Sequence, residues 1–160
     1  DEVAFGPRQM GLDEVEVDRR VTDCLNLLGI THFRDRVPYH LSGGEKKKVA
    51  LATVLAMNPD VLILDEPMNG LDPKTQRWLV DFLATLHHAG KTIITSTHNL
   101  ELVHELSHRA ILFSEDHTIV ADRPTESLLE DVDLLKATNL VDIYYHAHGT
   151  GAHKHYHDHH

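Results

Sequence analysis

The 160-residue chain is poor in several things at once: one cysteine, one tryptophan, 6% aromatic residues, and 15 lysines and arginines against 25 acids. A single thiol, Cys24, cannot close an internal disulfide, which fits a reducing cytosol, and a small core residue is the simplest reading of it. The formal net charge of −10 with neutral histidine argues against a general nucleic-acid binder. No apolar run approaches the roughly 18–20 residues that span a bilayer. The N-terminus begins with acids and reads as no secretory signal. No internal repeat is visible. Nowhere does the chain read G-x-x-x-x-G-K followed by Ser or Thr, the loop that cradles phosphates. Gly43-Gly44-Glu45-Lys46 does not substitute, because the spacing is wrong. What remains is ordinary for one modest domain: 41% hydrophobic and 25% charged residues.

Within this composition one stretch, Leu41 to Asp72, organises the rest. Val61, Leu62, Ile63 and Leu64 make an apolar run too short for a helix, bounded by Pro59-Asp60 and Pro67. The run predicts a strand covered on both faces, as in parallel sheets. It ends in Asp65-Glu66, and in open α/β sheets ligands bind beyond the carboxyl ends of strands. Two acids there are costly unless a cation or a substrate proton uses them. Asp65 is suited to Mg²⁺, directly or through water. Glu66 is suited to orienting or deprotonating an attacking water. A solvated acid pair at a strand end is the plainer alternative. Upstream, Ser42-Gly43-Gly44 predicts the start of a helix with an apolar face of Val49, Leu51, Ala52, Val54 and Leu55. The unpaired first amides, the positive dipole end and two glycines suit a phosphate. An ordinary serine cap is the alternative.

Four strings now stand in order: LSGGE at Leu41–Glu45, VLILDEP at Val61–Pro67, GLDP at Gly70–Pro73 and STH at Ser96–His98. Together they resemble the ATP-binding cassette ATPases, matching the signature motif, the Walker B strand, the D-loop and the switch histidine. The resemblance reaches to about Tyr145. Glu2-Val3-Ala4-Phe5-Gly6-Pro7, the Gly44-Glu45-Lys46-Lys47 string and a His-rich end look most like the ATPase subunits of cobalt/nickel and related energy-coupling importers. Met68 and Asn69 depart from the family, which commonly has Thr or Ser first after the strand's acids and proline.

The resemblance implies an α/β fold: the C-terminal part of a P-loop NTPase of ABC type, a mostly parallel sheet flanked by helices plus a helical subdomain. It implies residues 1–40 as helical subdomain, 41–122 as the second half of the core, 123–145 as a C-terminal helical segment and 146–160 as a His-rich tail. ATP and Mg²⁺ are the implied ligands. Ser42, Gly43, Gly44 and Glu45 of one subunit would face the γ-phosphate held by another, with Asp72 making a cross-dimer contact. Asp65 would organise Mg²⁺, Glu66 would activate water, and His98 would hold the γ-phosphate. The implied partners are an integral membrane transporter subunit and a second ATPase subunit, with no nucleic acid, on the cytoplasmic face of the membrane. The phosphate loop and the family's glutamine loop do not occur in the sequence, so the chain reads as a fragment or a shortened relative that is inactive alone. A cassette ATPase of chromosome maintenance fits less well, because the balance is acidic and no long coiled coil precedes the signature.

The other segments read more simply. Asp1 to Met10 reads as irregular, with Gly6-Pro7 as a turn. Asp13 to Leu28 predicts a helix capped by Asp13, with Glu16 three residues on, Gly29 as its stop and a stripe of Val17, Val21, Cys24, Leu25 and Leu28. Asp35 to His40 crosses to the signature through Pro38. Lys46, Lys47 and Lys48 read as a solvated face. Asp72-Pro73 predicts a second cap and helix start, with Trp78, Leu79, Phe82, Leu83 and Leu86 inward and Gly90 at the end. Thr92 to Ser96 reads as a strand, with His104 and His108 on the helix that follows. Ala110–Phe113 and Thr118–Ala121 read as a hairpin, and Pro124 to Leu135 as a helix. Finally, His146, His148, His153, His155, His157, His159 and His160 suit Ni²⁺, Co²⁺ or Zn²⁺, since neutral imidazoles on a flexible segment can chelate together. An expression tag is the alternative, against which Lys154, Tyr156 and Asp158 speak. A metal-binding or regulatory protein with a degenerate nucleotide half is therefore the competing functional reading.

Overall fold

The computed structural model describes residues 2–34 and 41–141, so the crossing at 35–40 and the His-rich tail lie outside the described residues. The chain gathers into two compact units, Asp1–Leu64 with Met68–Ile94, and Asp65–Pro67 with Thr95–His160.

The first unit opens with a helix where the sequence suggested irregular chain. Helix α1 spans Glu2–Gln9 with Pro7 inside it. Proline costs one backbone donor but presets a helical φ, and in so short a helix that loss is tolerable. Gly6 is a packing glycine rather than a turn glycine, since a Cβ there would stand 2.7 Å from Met57 Cγ. Helix α2, Glu14–Leu27, follows the predicted pattern: Asp13 caps it by accepting from the Glu16 amide at 2.9 Å. The Glu16 carboxylate completes no capping box but pairs with Arg19 and Arg20, which hold it down to about 2. Gly29, at φ +66°, ends the helix. Val17, Cys24, Leu25 and Leu28 are buried, and burial pushes the Cys24 thiol up. Cys24 is thus an inert core residue.

Helix α3 spans Gly43–Leu55 and buries Leu51, Ala52 and Leu55. Val54, expected on its apolar face, is exposed. Strand β1 (Val61–Asp65), helix α4 (Pro73–His88) and strand β2 (Thr92–Ser96) then form a β-α-β unit. The Thr92 amide donates to the Asp60 carbonyl near one end and the Glu66 amide to the Ser96 carbonyl near the other, so the strands run parallel. Helix α4 buries Leu79, Val80, Phe82, Leu83 and Leu86. Trp78 is half-buried, stacked on Phe82 and capped by Lys48 Nζ at 4.2 Å, so Lys48 leaves the solvated lysine face for a cation–π contact.

Strand β1 departs from expectation on one face. Leu62 is 2% exposed, but Val61 and Ile63 are 49% and 76% exposed, and Ile94 on β2 is 52%. Among the described residues the apolar run is packed on the Leu62 side and open on the Val61 and Ile63 side, and β1 pairs with β2.

In the second unit, helix α5 spans Leu100–Leu106, followed by strands β3 (Arg109–Phe113) and β4 (Ile119–Pro124). The predicted hairpin forms, antiparallel, with Arg109 and Asp122 paired at 2.7 Å. His104 lies on α5, but His108 lies beyond it, its carbonyl accepting from the Thr125 amide. The single helix expected over 124–135 is two: α6 (Thr125–Leu129) and α7 (Val132–Ala137). Asp131 breaks it, because its side chain accepts from the Leu134 amide as a new cap and from Arg123 at 2.6 Å.

The one-sided packing of β1 is measurable by chemical denaturation. Leu62→Ala is expected to cost about 2–5 kcal/mol. Ile63→Thr, which keeps the β-branch on the exposed face, should stay within about 0.5 kcal/mol.

Candidate active site

The predicted site residues fall into two clusters, one in each unit. In the first unit, Ser42 is the N-cap of α3 in a complete capping box. Its hydroxyl accepts from the Glu45 amide at 3.3 Å, and Glu45 Oε2 accepts from the Ser42 amide at 2.7 Å. The Ser42 hydroxyl and the Glu45 carboxylate are thus engaged in holding the turn's shape. Asp72 caps α4: Oδ1 accepts from the Lys74 and Thr75 amides, both at 3.1 Å, and Oδ2 from the Thr75 hydroxyl at 2.6 Å. The Thr75 hydroxyl, then the backbone amides, hold the Asp72 carboxyl below its usual range.

These two caps meet through a threonine that sequence reasoning did not single out. A Cβ on Gly44 would stand 3.0 Å from both Thr75 Cγ2 and Oγ1, and one on Gly43 would stand 3.6 Å from the Gly70 carbonyl oxygen. Gly44 therefore lets the start of α4 lie against the start of α3. The signal was a threonine three residues after the capping aspartate, which looks like any first-turn residue.

The second cluster joins the ends of β1 and β2. Glu66 sits at φ +41°, in the left-handed region that a long side chain rarely occupies. The turn aims its carboxylate at Thr97 and His98. Oε1 accepts from the His98 amide at 3.0 Å and lies 2.6 Å from His98 Nδ1, while Oε2 accepts from the Thr97 hydroxyl at 3.1 Å. An ionised carboxylate only accepts, so Nδ1 carries the proton in this pair. The Glu66 side chain is 29% exposed and that of His98 64%. One residue back, the Ser96 hydroxyl donates to Asp65 Oδ1 in a short contact. The structure thus brings together Asp65, Glu66 and His98, and adds Ser96 and Thr97. Both additions stood inside the STH string, where only the histidine drew attention.

The donor set bears on which ions fit. Among the described residues no group of three or more His, Cys, Asp and Glu could hold a metal ion. Mg²⁺ binds through one or two carboxylates with substrate phosphates and keeps several waters. Asp65, on an exposed strand end, is such a carboxylate. No helix among the described residues is long and apolar enough to cross a membrane.

Comparison with known proteins shows what the chain is similar to. Residues 2–69 match the family model described as ABC transporter. A Methanosarcina acetivorans protein named for ABC transporter ATP binding is 54% identical over 93% of this chain and 54% of its own length. The nickel import ATP-binding protein LarO of Lactiplantibacillus plantarum is 52% identical over 76% of this chain and 51% of its own length. Among solved structures, cbiO1 from Clostridium perfringens, part of the ABC transporter complex cbiONQ, superposes with TM-score 0.73 and 34% identity. It covers 86% of this chain and 55% of its own. The chain spans about half the length of the curated relatives it matches.

Because the Gly44 packing is specific, it is testable as a double-mutant cycle. Gly44→Ala is expected to destabilise more in the wild-type background than in Thr75→Ala, with a coupling of about 1 kcal/mol by thermal or urea unfolding. With the ordered motifs, the fold and the relatives in agreement, the chain belongs to the ABC transporter ATPase family, with the α/β fold of its P-loop NTPase domains.

Proposed function

We propose that this chain is the second half of the ATP-hydrolysing subunit of an ABC-type importer that carries cobalt or nickel ions. The observation that carries the reading is the Glu66 carboxylate, held at the ends of two parallel strands with its orientation set by Thr97 and His98. A carboxylate has about four lone-pair positions. Three donors use three of them, two on Oε1, which leaves Oε2 a position for a water proton. Glu66 takes that proton as the water oxygen bonds the γ-phosphorus of ATP. The bond to the bridging oxygen breaks, ADP leaves, and the proton passes to the released phosphate. Asp65 would hold Mg²⁺, which supplies charge neutralisation at the phosphates when bound. His98 would hold the γ-phosphate. Ser42, Gly43, Gly44 and Glu45, with Asp72, would face a nucleotide bound by a second subunit. No phosphate loop occurs in the 160 residues, so the nucleotide-holding set is not complete in this chain. The subunit would work against an integral membrane partner, on the cytoplasmic face of the membrane.

The metal assignment rests on the seven histidines from His146 to His160 and on the name of the nickel-import relative. The competing reading, a metal-binding regulator with a degenerate nucleotide half, keeps the tail and discards the hydrolysis.

Two experiments separate these. Joining the first half of the Methanosarcina acetivorans relative to this chain should give an Mg²⁺-dependent ATPase, and Glu66→Gln in it should lose at least about 100-fold in kcat. Normal turnover in Glu66→Gln would sink the base assignment. Titration calorimetry with Ni²⁺ should show binding to the full chain and none to a chain ending at Tyr145. Equal binding by both would remove the tail from the argument. Loss of transport on removing the tail would favour the regulator.

A further inference from the structure

We infer that Thr97 is a positioning residue for hydrolysis: its hydroxyl orients the Glu66 oxygen that receives the water proton. This rests on the reading of Glu66 as the base.

The hydrogen-bond geometry of the hydroxyl supports the inference. Thr97 Oγ1 accepts from the Asn99 amide at 3.1 Å and lies 3.1 Å from Glu66 Oε2. A hydroxyl has one proton. With the Asn99 N–H directed at its oxygen and only an acceptor on the other side, that proton goes to Oε2. The Asn99 amide is itself fixed, because Asn99 is the N-cap of α5 and its side chain accepts from the Glu101 and Leu102 amides at 3.0 and 3.4 Å. The start of α5 thus sets the direction of a hydroxyl, and the hydroxyl sets the plane of a carboxylate.

His98 cannot do this alone. Its amide and its ring both meet Glu66 at Oε1, so these bonds leave the carboxylate able to turn about the bond that carries the group. The Thr97 hydroxyl donates to the other oxygen, Oε2. The backbone adds a reason for a second tether. Glu66 is held at φ +41°, a conformation disfavoured for its type, and persists where surrounding bonds over-determine it. Thr97 is half-buried while His98 is exposed, so the threonine tether is the better shielded of the two. A valine has the same shape without the proton. Serine keeps the proton and loses only a methyl.

The test has two readouts. In the joined ATPase, Thr97→Val is expected to lower kcat about tenfold with KM for ATP unchanged, and Thr97→Ser to restore most of it. In the 160-residue chain, without any turnover, the side-chain carboxyl carbon resonance of Glu66 should move in Thr97→Val and return in Thr97→Ser. Unchanged kcat and an unmoved resonance in Thr97→Val would overturn the inference. So would a Thr97→Ser variant as impaired as Thr97→Val, since a structural methyl would then be the cause. If Glu66→Gln turns over normally while the resonance still moves in Thr97→Val, the base reading fails and the orienting contact stands.

Discussion

A carboxylate at the end of a strand has to find donors, and here Glu66 finds them on the neighbouring strand's exit. The His98 amide, the His98 ring and the Thr97 hydroxyl all point at it. This places the last residues of β1 and β2 in one cluster, with Glu66 at a positive φ. The Ser96 hydroxyl does the same for Asp65 one residue earlier. Two adjacent acids would repel each other unless each had its own donors, and the alternation of Ser96, Thr97 and His98 supplies them separately. The chemistry proposed for the site depends on this separation, since it leaves one acid oriented toward a cation and the other toward a proton.

The signature turn and the D-loop cap follow a different physical logic. Both are helix N-termini whose caps are satisfied within the chain: Ser42 with Glu45, and Asp72 with Thr75. Capping settles the shape of each turn: at α3 the serine takes the Glu45 amide, and at α4, where Pro73 has no N–H, the aspartate takes both the Lys74 and the Thr75 amides. The glycine at position 44 is explained by the neighbour it admits, Thr75, because a methyl there would crowd that side chain. Conformational freedom is not the reason, since the position is helical. A motif that reads as a phosphate cradle is thus also a joint between two helices, which ties the geometry of one turn to that of the other.

The two faces of the sheet are packed unequally. Val61, Ile63 and Ile94 present apolar side chains to solvent, while Leu62 between them is buried. Parallel strands are apolar on both faces because helices normally cover both. Here the residue pattern is that of a fully covered strand, and the cover is on one side. Met68, where the family pattern has Thr or Ser, is buried too, and its carbonyl accepts from Gln76 and from the Leu71 amide. The departure therefore adds to the packed side of the turn.

Much was legible in the sequence because it depends on neighbours along the chain. Asp13, Ser42 and Asp72 were readable as caps, Gly29 and Gly90 as stops, and the α4 stripe by its period, since each of these is set within a few residues. The order of motifs was readable for the same reason, and so were Asp65, Glu66 and His98 as candidates. Other features needed partners distant in sequence. Pro7 reads as a breaker until Met57 packs against Gly6. The segment from Pro124 reads as one helix until Arg123 draws Asp131 into a cap. Val61 and Ile63 read as core, but their face of the strand is exposed. The donors to Glu66 lie 31 and 32 residues away, where no local rule reaches. The sequence alone determined which residues carry charge, caps and apolar stripes. Only the tertiary structure decided which of them meet, because hydrogen bonds and burial are fixed by distance in space and not by distance along the chain.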